Sequence, residues 1–295
     1  MSRTVSNHPF DLSTVEQAIT ATEFAGHLHH LSATTSTSDL ALKAAQAGSR
    51  HGVWIADEQI SGRGRGAHTW HSPAGTGLYM TALISPPVPM QSALGLSLRV
   101  ALAVQSAIAS TFGFRIREQI DIRWPNDLLL NGKKCGGILI DTASNRAAPP
   151  LPAMLRYAII GIGINLNHTR FPPELNLIAT SLRRELPPPA MELGAPGLAP
   201  ETWVCAALRR EPLAAAILLA LAEEIRALTS NLEPRTSDLT QYSSWISGKR
   251  VRVEASEGDP GYTGTTAGLN PSGFLVVAGD DGQIHTVLSG GLREP

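Results

Sequence analysis

Cysteine is nearly missing from these 295 residues: only Cys135 and Cys205 occur, far apart and without CxxC spacing. That excludes a disulfide framework or thiolate zinc site as the organising feature, and it suits a cytoplasmic setting. An excess of charge is missing too, with 24 Lys and Arg against 25 Asp and Glu. Neither a nucleic-acid coat nor a membrane-surface protein is indicated. A membrane span is not expected: the longest apolar stretch, Ala93 to Phe112, contains Arg99 and Gln105. Its polar residues Ser92, Arg99, Ser106 and Ser110 recur at helical spacing, so it reads as a buried helix stopped by Gly113. The N-terminus lacks the apolar core of a secretion signal. Residues 1–35 have Arg3 as their sole Lys or Arg, so the length and basic face of a DNA-binding winged helix are not expected.

Familiar catalytic signatures are also absent. There is no Gly-Lys-Ser/Thr phosphate loop, no Ser–His–Asp elbow and no metal-ligand spacing. Gly62-x-Gly64-x-x-Ala67 imitates a dinucleotide fingerprint, but His-Thr-Trp-His-Ser-Pro follows it instead of a helix, and no acidic residue stands about 20 positions on.

What is present centres on Gly62-Arg63-Gly64-Arg65-Gly66-Ala67-His68-Thr69-Trp70, in a region with no Asp or Glu between Glu58 and Glu118. Glycine permits tight bends and close approach, while arginine offers a planar fork of donors to carboxylates and phosphates. The run reads as a loop that closes over an anion, the plainer alternative being a solvent-exposed basic turn. Ahead of it, Ser36-Thr37-Ser38-Asp39 precedes an alanine-rich run, a helix-start signal. The hydroxyls of Ser36 and Thr37 either cap that helix or face a ligand, and both readings stand at this point.

The remaining pattern alternates strands and helices. Val15–Phe24 predicts a short helix, and Leu28–Leu31, Gly52–Ala56, Leu78–Ile84, Ile120–Arg123 and Tyr157–Asn165 predict strands. Asn131-Gly132 predicts a hairpin turn into Lys133–Asp141. Glycines at Gly136, Gly137, Gly161 and Gly163 thin two of these strands, as if to floor a site for a flat ligand. A Pro/Gly-rich insertion is expected at 186–200, then a helix within Thr202–Leu228 broken or restarted near Pro212. Short strands from Gly248 onward predict a small β-barrel.

Five ordered motifs carry a resemblance: Ser36-Thr37-Ser38; Gln59 with the Gly-Arg run and Trp70; Arg123-Trp124-Pro125-Asn126-Asp127; Lys134-x-Gly136-Gly137-Ile138-Leu139; and Gly161-x-Gly163-Ile164-Asn165. Together, from about residue 28 to the C-terminus, they resemble the biotin–protein ligases, in a form without an N-terminal DNA-binding domain. The resemblance implies an α/β (α+β) catalytic domain with a mixed sheet, related to class II aminoacyl-tRNA synthetases, and a C-terminal SH3-like β-barrel. The implied division is 1–245, including an extension over about 1–30, and 246–295. It implies biotin and ATP as substrates, Mg²⁺ carried with ATP or pyrophosphate, and a biotin carboxyl carrier domain as acceptor. No nucleic-acid or membrane partner is implied, and the chain would be a monomer or homodimer. By motif, Ser36, Thr37, Ser38, Gln59, Arg63, Gly64, Arg65, Trp70, Tyr79, Lys134, Gly137, Gly161 and Gly163 would contact biotin, with Trp70 and Tyr79 along its hydrocarbon part. Arg65, Trp124, Asn126, Asp127, Lys134 and Asn165 would contact the nucleotide, and Arg63, Arg65 and Lys134 would be catalytic. No residue is assigned to a metal. Arg123 stands where the family usually has Lys, and Ser38 where Asn is common. The alternatives are a lipoate–protein ligase or a non-catalytic biotin-responsive regulator.

Overall fold

The computed structural model describes residues 9–66, 68–93, 95–145, 152–186, 207–230, 243–254, 261–270, 273–287 and 291–295. The expected insertion therefore lies outside the described residues, apart from Leu186.

Helix α1 spans Leu12–Ala18. It starts earlier than Val15 because Asp11 caps it, accepting the backbone N–H groups of Ser13 and Thr14. It is followed by β1 (Leu28–Leu31), α2 (Thr37–Gln46) and β2 (Gly52–Ala56). The Gly-Arg run folds back on itself as a two-stranded hairpin, β3 (Gly62–Arg63) with β4 (Thr69–Trp70). Then come β5 (Gly77–Ile84), α3 (Leu96–Phe112) and the strands β6 (Ile120–Arg123), β7 (Asp127–Leu130), β8 (Lys133–Asn145) and β9 (Met154–Asn165). Asn131 and Gly132 both have positive φ (52° and 77°), the turn that Asn-Gly favours. A short helix α4 (Leu182–Glu185) precedes α5 (Arg210–Thr229). Pro212 lies in the first turn of α5, where its missing N–H interrupts no helical bond.

Seven strands form one mixed sheet in the order β1-β2-β5-β9-β8-β7-β6, with β1 parallel to β2 and the other neighbours antiparallel. Alternation of side chains separates its two faces. Met80, Ala82, Ile160, Ile162 and Ile138 join the core that contains α3 and α5. Trp54, Leu83 and Ile159 point the other way, against Ala41 and Ala45 of α2. On that second face the register lines up Leu31, Ala56, Tyr79, Gly163, Gly137, Asp127 and Arg123 across all seven strands. The neighbouring row in the same orientation holds Trp54, Thr81, Gly161 and Leu139. Thus three glycines converge where α2 ends its cover of the sheet.

The C-terminal part is a second, antiparallel sheet in the order β13-β12-β11-β10-β14, from β10 (Ser247–Glu254), β11 (Tyr262–Leu269), β12 (Leu275–Gly279), β13 (Ile284–Val287) and β14 (Gly291–Arg293). It meets the large sheet just before β10: Ser243 Oγ donates to the Ile122 carbonyl (2.5 Å), and Ser244 Oγ to Asp121 (2.5 Å). No helix among the described residues is long and apolar enough to cross a membrane.

The chain leaves β9 through Asn167 and His168, which bond to Thr76 just ahead of β5. His168 is 1% exposed, stacks on Phe171 at 4.9 Å, and bonds through Nε2 to Thr76 Oγ1 (3.1 Å). Burial, aided by His71, pushes its imidazole down to about 4. The unfolded chain then takes up a proton near pH 6.5 that the folded chain refuses, so stability is complete above that pH and falls between about 6.5 and 4. The expected loss is up to about 3 kcal/mol across this window. Urea denaturation at several pH values, with His168→Gln as control, should show the slope in the wild type and its reduction in the variant.

Candidate functional site

A polar chain closes one end of the cleft. Thr37 sits at the start of α2, with its backbone N–H (2.9 Å) and Oγ1 (3.0 Å) donating to Gln59 Oε1. Thr37 Oγ1 also lies 2.8 Å from Thr81 Oγ1, which is 3.2 Å from Ser38 Oγ. Gln59 Nε2 continues the chain to Ser72 Oγ, which donates to the Trp70 carbonyl, both at 3.0 Å. Because Thr37 Oγ1 spends its proton on Gln59, Thr81 donates to Thr37 and Ser38 to Thr81, leaving lone pairs on Ser38 Oγ. Ser36 is the N-cap by position, yet its side chain makes no cap bond and its buried Oγ has no partner. Thr37 and Ser38 therefore serve this polar end rather than act as caps, while Ser36 does not line the cleft.

The floor is backbone. A Cβ on Gly163 would lie 2.5 Å from Trp70 Nε1, one on Gly137 would lie 3.0 Å from the same indole, and one on Gly161 would lie 2.8 Å from Ser38 Oγ. Only glycine allows Trp70 to lie on β8 and β9 in this way. Trp70 Nε1 is buried without a hydrogen-bond partner. The cleft is lined by Thr37, Ser38, Gln59, Thr81 and Trp70 as well as the three glycines, and by Arg63, Arg65, Asn126 and Lys134.

The charges are arranged around Asp127. Arg123 sends Nε (3.2 Å) and Nη2 (2.6 Å) to its Oδ2, while Lys134 Nζ reaches Oδ1 at 2.5 Å. Burial acts to raise the Asp127 carboxyl, but these two cations outweigh it and hold it below its ordinary range. Lys134 Nζ also stands 5.4 Å from the Trp70 ring centre. Arg65 Nη1 is 3.5 Å from Asn126 Oδ1, and Asn126 is itself fixed by donating to the Ile138 carbonyl at 2.9 Å. Burial lowers the Arg65 guanidinium, and Asp127 pulls it back up. Arg63 faces elsewhere, 3.0 Å from Asp141 and 3.5 Å from Asp39.

A larger cavity of about 330 Å³ adjoins the first, sharing Arg65, Asn126, Ile138 and Leu139 with it. Trp124, Pro125 and Asp141 line it, as do Ser97 and Leu98 at the start of α3 and Gly273 and Phe274 from the second sheet.

Four sequence expectations fall outside both linings: Ser36 and Asp127, described above, and Tyr79 and Asn165. Tyr79 is fully buried, and its hydroxyl donates to the Pro73 carbonyl (3.1 Å) beside Thr76 and His168, so it supports the 73–76 loop next to the floor instead of lining the cleft. Asn165 donates to the Thr180 (3.0 Å) and Lys134 (3.4 Å) carbonyls and so holds the start of β8. Conversely, sequence reasoning missed Thr81, whose signal was a lone polar residue in an otherwise apolar strand. It also missed Asp39 and Asp141, which nothing in the local sequence ties to Arg63. Buried Cys135 has its thiol pushed up to about 12 by burial, as expected of a core residue and not a nucleophile.

Comparison with known proteins follows the same two-part division. Residues 31–165 match the biotin/lipoate A/B protein ligase family, and residues 246–290 match the biotin protein ligase C-terminal domain. The bifunctional ligase/repressor BirA of Bacillus spizizenii is 40% identical over 159 residues, covering 53% of this chain and 46% of that protein. The biotin–[acetyl-CoA-carboxylase] ligase of Mycobacterium tuberculosis is 29% identical over 260 residues, covering 87% and 84%. A solved biotin protein ligase from Aquifex aeolicus, in complex with biotin and ATP, aligns with a TM-score of 0.67 at 23% identity, over 92% of this chain and 100% of that one. At that identity the likeness concerns the fold. The chain spans about half the length of the first curated relatives it matches.

Asp127→Asn should separate the charge cluster from the fold. With Asp127 nearly buried and Lys134 about a third exposed, the expected loss of stability at pH 7 is ~1–3 kcal/mol. A carboxyl held low contributes above its unfolded pKa and loses that contribution as pH falls through the folded value. Wild type and variant should therefore converge in urea midpoints as the pH drops below about 3.9.

Proposed function

Because the chain belongs to the biotin/lipoate A/B protein ligase family, we propose that it joins biotin to a lysine of a biotin carboxyl carrier domain in two steps. The biotin carboxylate attacks the α-phosphate of ATP, giving biotinyl-5′-AMP and releasing pyrophosphate. The acceptor amine then attacks the carbonyl carbon of that mixed anhydride, and AMP leaves. The observation that carries this reading is the joining of two cavities through a wall containing Arg65 and Asn126, with Lys134 beside it. Two anions must meet for the first step, and preorganised cations at the junction lower that barrier. Arg65 and Lys134 are the groups proposed to hold the carboxylate and phosphate oxygens, with Lys134 serving both steps.

The smaller cleft suits biotin from end to end. The lone pairs of Ser38 Oγ can accept from the ureido ring, and Gln59 and Thr37 fix that end of the cleft. The glycine floor and Trp70 suit the flat bicycle and its chain. A dithiolane ring has no N–H to offer the Ser38 lone pairs, which disfavours lipoate. The larger cavity is proposed for the nucleotide, with Trp124 as an apolar wall and Asn126 at the shared boundary. Mg²⁺ would arrive on the polyphosphate, taking phosphate oxygens and water as ligands. Tyr79 and Asn165 are proposed as supports, and Ser36 as a buried flank of α2. Division near residue 245, with a cytoplasmic location, completes the proposal.

The test is ATP-dependent transfer of labelled biotin to a purified carrier domain, with lipoate in parallel. Transfer of biotin and not lipoate is expected; the reverse result would refute the assignment. Lys134→Ala should reduce biotin-dependent pyrophosphate exchange by about 10²–10³-fold in a chain that still unfolds in one cooperative transition. Exchange within threefold of wild type would remove Lys134 from the chemistry. Gly163→Ala should raise the KM for biotin at least about tenfold by lifting Trp70, with a smaller change in kcat.

A further inference from the structure

The two arginines of the hairpin are in opposite electrostatic surroundings. Arg65 lies toward Asn126, near the Arg123–Asp127–Lys134 group, whose formal charges sum to +1. Arg63 instead pairs with Asp39 and Asp141, and that trio sums to −1. An incoming carboxylate or phosphate is drawn to the first group and repelled by the second.

The two carboxylates come from different elements and meet at one atom, Arg63 Nη1. Asp39 follows Ser38 in the first turn of α2, and Ser38 Oγ lies directly over Gly161. Asp141 lies on β8, two residues beyond Leu139, which pairs with Gly161. Arg63, coming from β3, thus ties the hairpin to α2 and to β8. Besides Arg63, the hairpin is held by Trp70 on the glycine floor, by Arg65 toward Asn126 (3.5 Å) and by Ser72 on the Trp70 carbonyl (3.0 Å); its own strands are two residues long, with Gly64 N–H to the His68 carbonyl (2.8 Å) between them. A ribbon that short is not stable alone, so its tertiary contacts decide how long it stays closed.

We propose that Asp39 and Asp141 are positioning residues that form an ionic clasp with Arg63, which itself lines the cleft, and so hold the hairpin closed. The clasp sets the rate at which biotin enters and biotin or its adenylate escapes, and Arg63 is not an anion-binding arm. The gating part rests on the function proposed above; the closure itself does not. All three side chains are more than a third exposed, so the clasp is weak enough to open and sensitive to salt.

Two measurements on the full-length chain test the two parts separately. Without ligand, hydrogen exchange over residues 62–70 should be about fivefold faster in Asp39→Asn/Asp141→Asn than in wild type. Unchanged exchange would overturn the clasp. With biotin, stopped-flow and chase experiments should give association and dissociation rates that both rise about fivefold in the double variant, so that Kd moves less than either rate. Raising NaCl from about 0.05 to 0.5 M should carry wild type toward the variant, and Asp141→Glu should restore most of the wild-type rates. Biotin rates within twofold of wild type in the double variant would overturn the gating. A hairpin that responds as expected in a wild-type chain that binds no biotin would overturn the functional reading and support the clasp.

Discussion

Everything at the site depends on the absence of side chains on one face of two adjacent strands. Gly137, Gly161 and Gly163 leave β8 and β9 bare where a Cβ would strike Trp70 or Ser38. Glycine is a poor strand residue, costing entropy and packing, so its use three times on one face needs an offsetting gain. The other face supplies it: Ile138, Ile160, Ile162 and Ile164 on the same strands are buried in the main core. The sheet is thus secured from one side and left open on the other, and the indole, the hydroxyl chain and the cleft all take their positions from that asymmetry.

On this floor the charges are sorted by how they are held. Asp127 is acceptor to two cations at once, and burial makes that arrangement demanding, since removing any member leaves another uncompensated. Asp39 and Asp141 meet Arg63 near solvent, where attraction is weaker and exchange with water is easy. A rigid cluster of net positive charge and a looser one of net negative charge therefore flank the same groove. Chemistry that joins two anions needs the former, because donors that are already fixed need no reorganisation as charge develops. Admission and retention of a ligand need the latter.

The sequence made the strands and the floor legible because each signal was local. Asn131-Gly132 specifies its turn, and paired glycines in apolar runs announce a bare surface. Gly113 stops α3 where the apolar stretch ends. The start of α1 was misplaced because Asp11 was not recognised as its cap. At the site, residues within motifs came together, but their tasks were less legible. Tyr79 and Asn165 stand in the right strands and point to other partners, since a motif fixes a residue's row and not the bond its side chain makes. The partners of Arg63 come from positions 39 and 141, a long-range meeting that only the folded sheet and helix bring about.

The arginine at position 123 shows how far such placement reaches. A lysine there could contact Asp127 as a single point charge, whereas the guanidinium puts two donors on Oδ2 and leaves Oδ1 to Lys134. The same guanidinium lies 5.5 Å from the Trp245 ring, whose other cationic neighbour is Lys249 at 4.9 Å. Trp245 is buried immediately before β10, next to the Ser243 and Ser244 bonds that tie this segment to β6. A continuous series of contacts therefore runs from Lys134 through Asp127 and Arg123 to the root of the second sheet. Physical contact of this kind positions the lysine; it makes the small sheet part of the support for the site, not an appendage beside it.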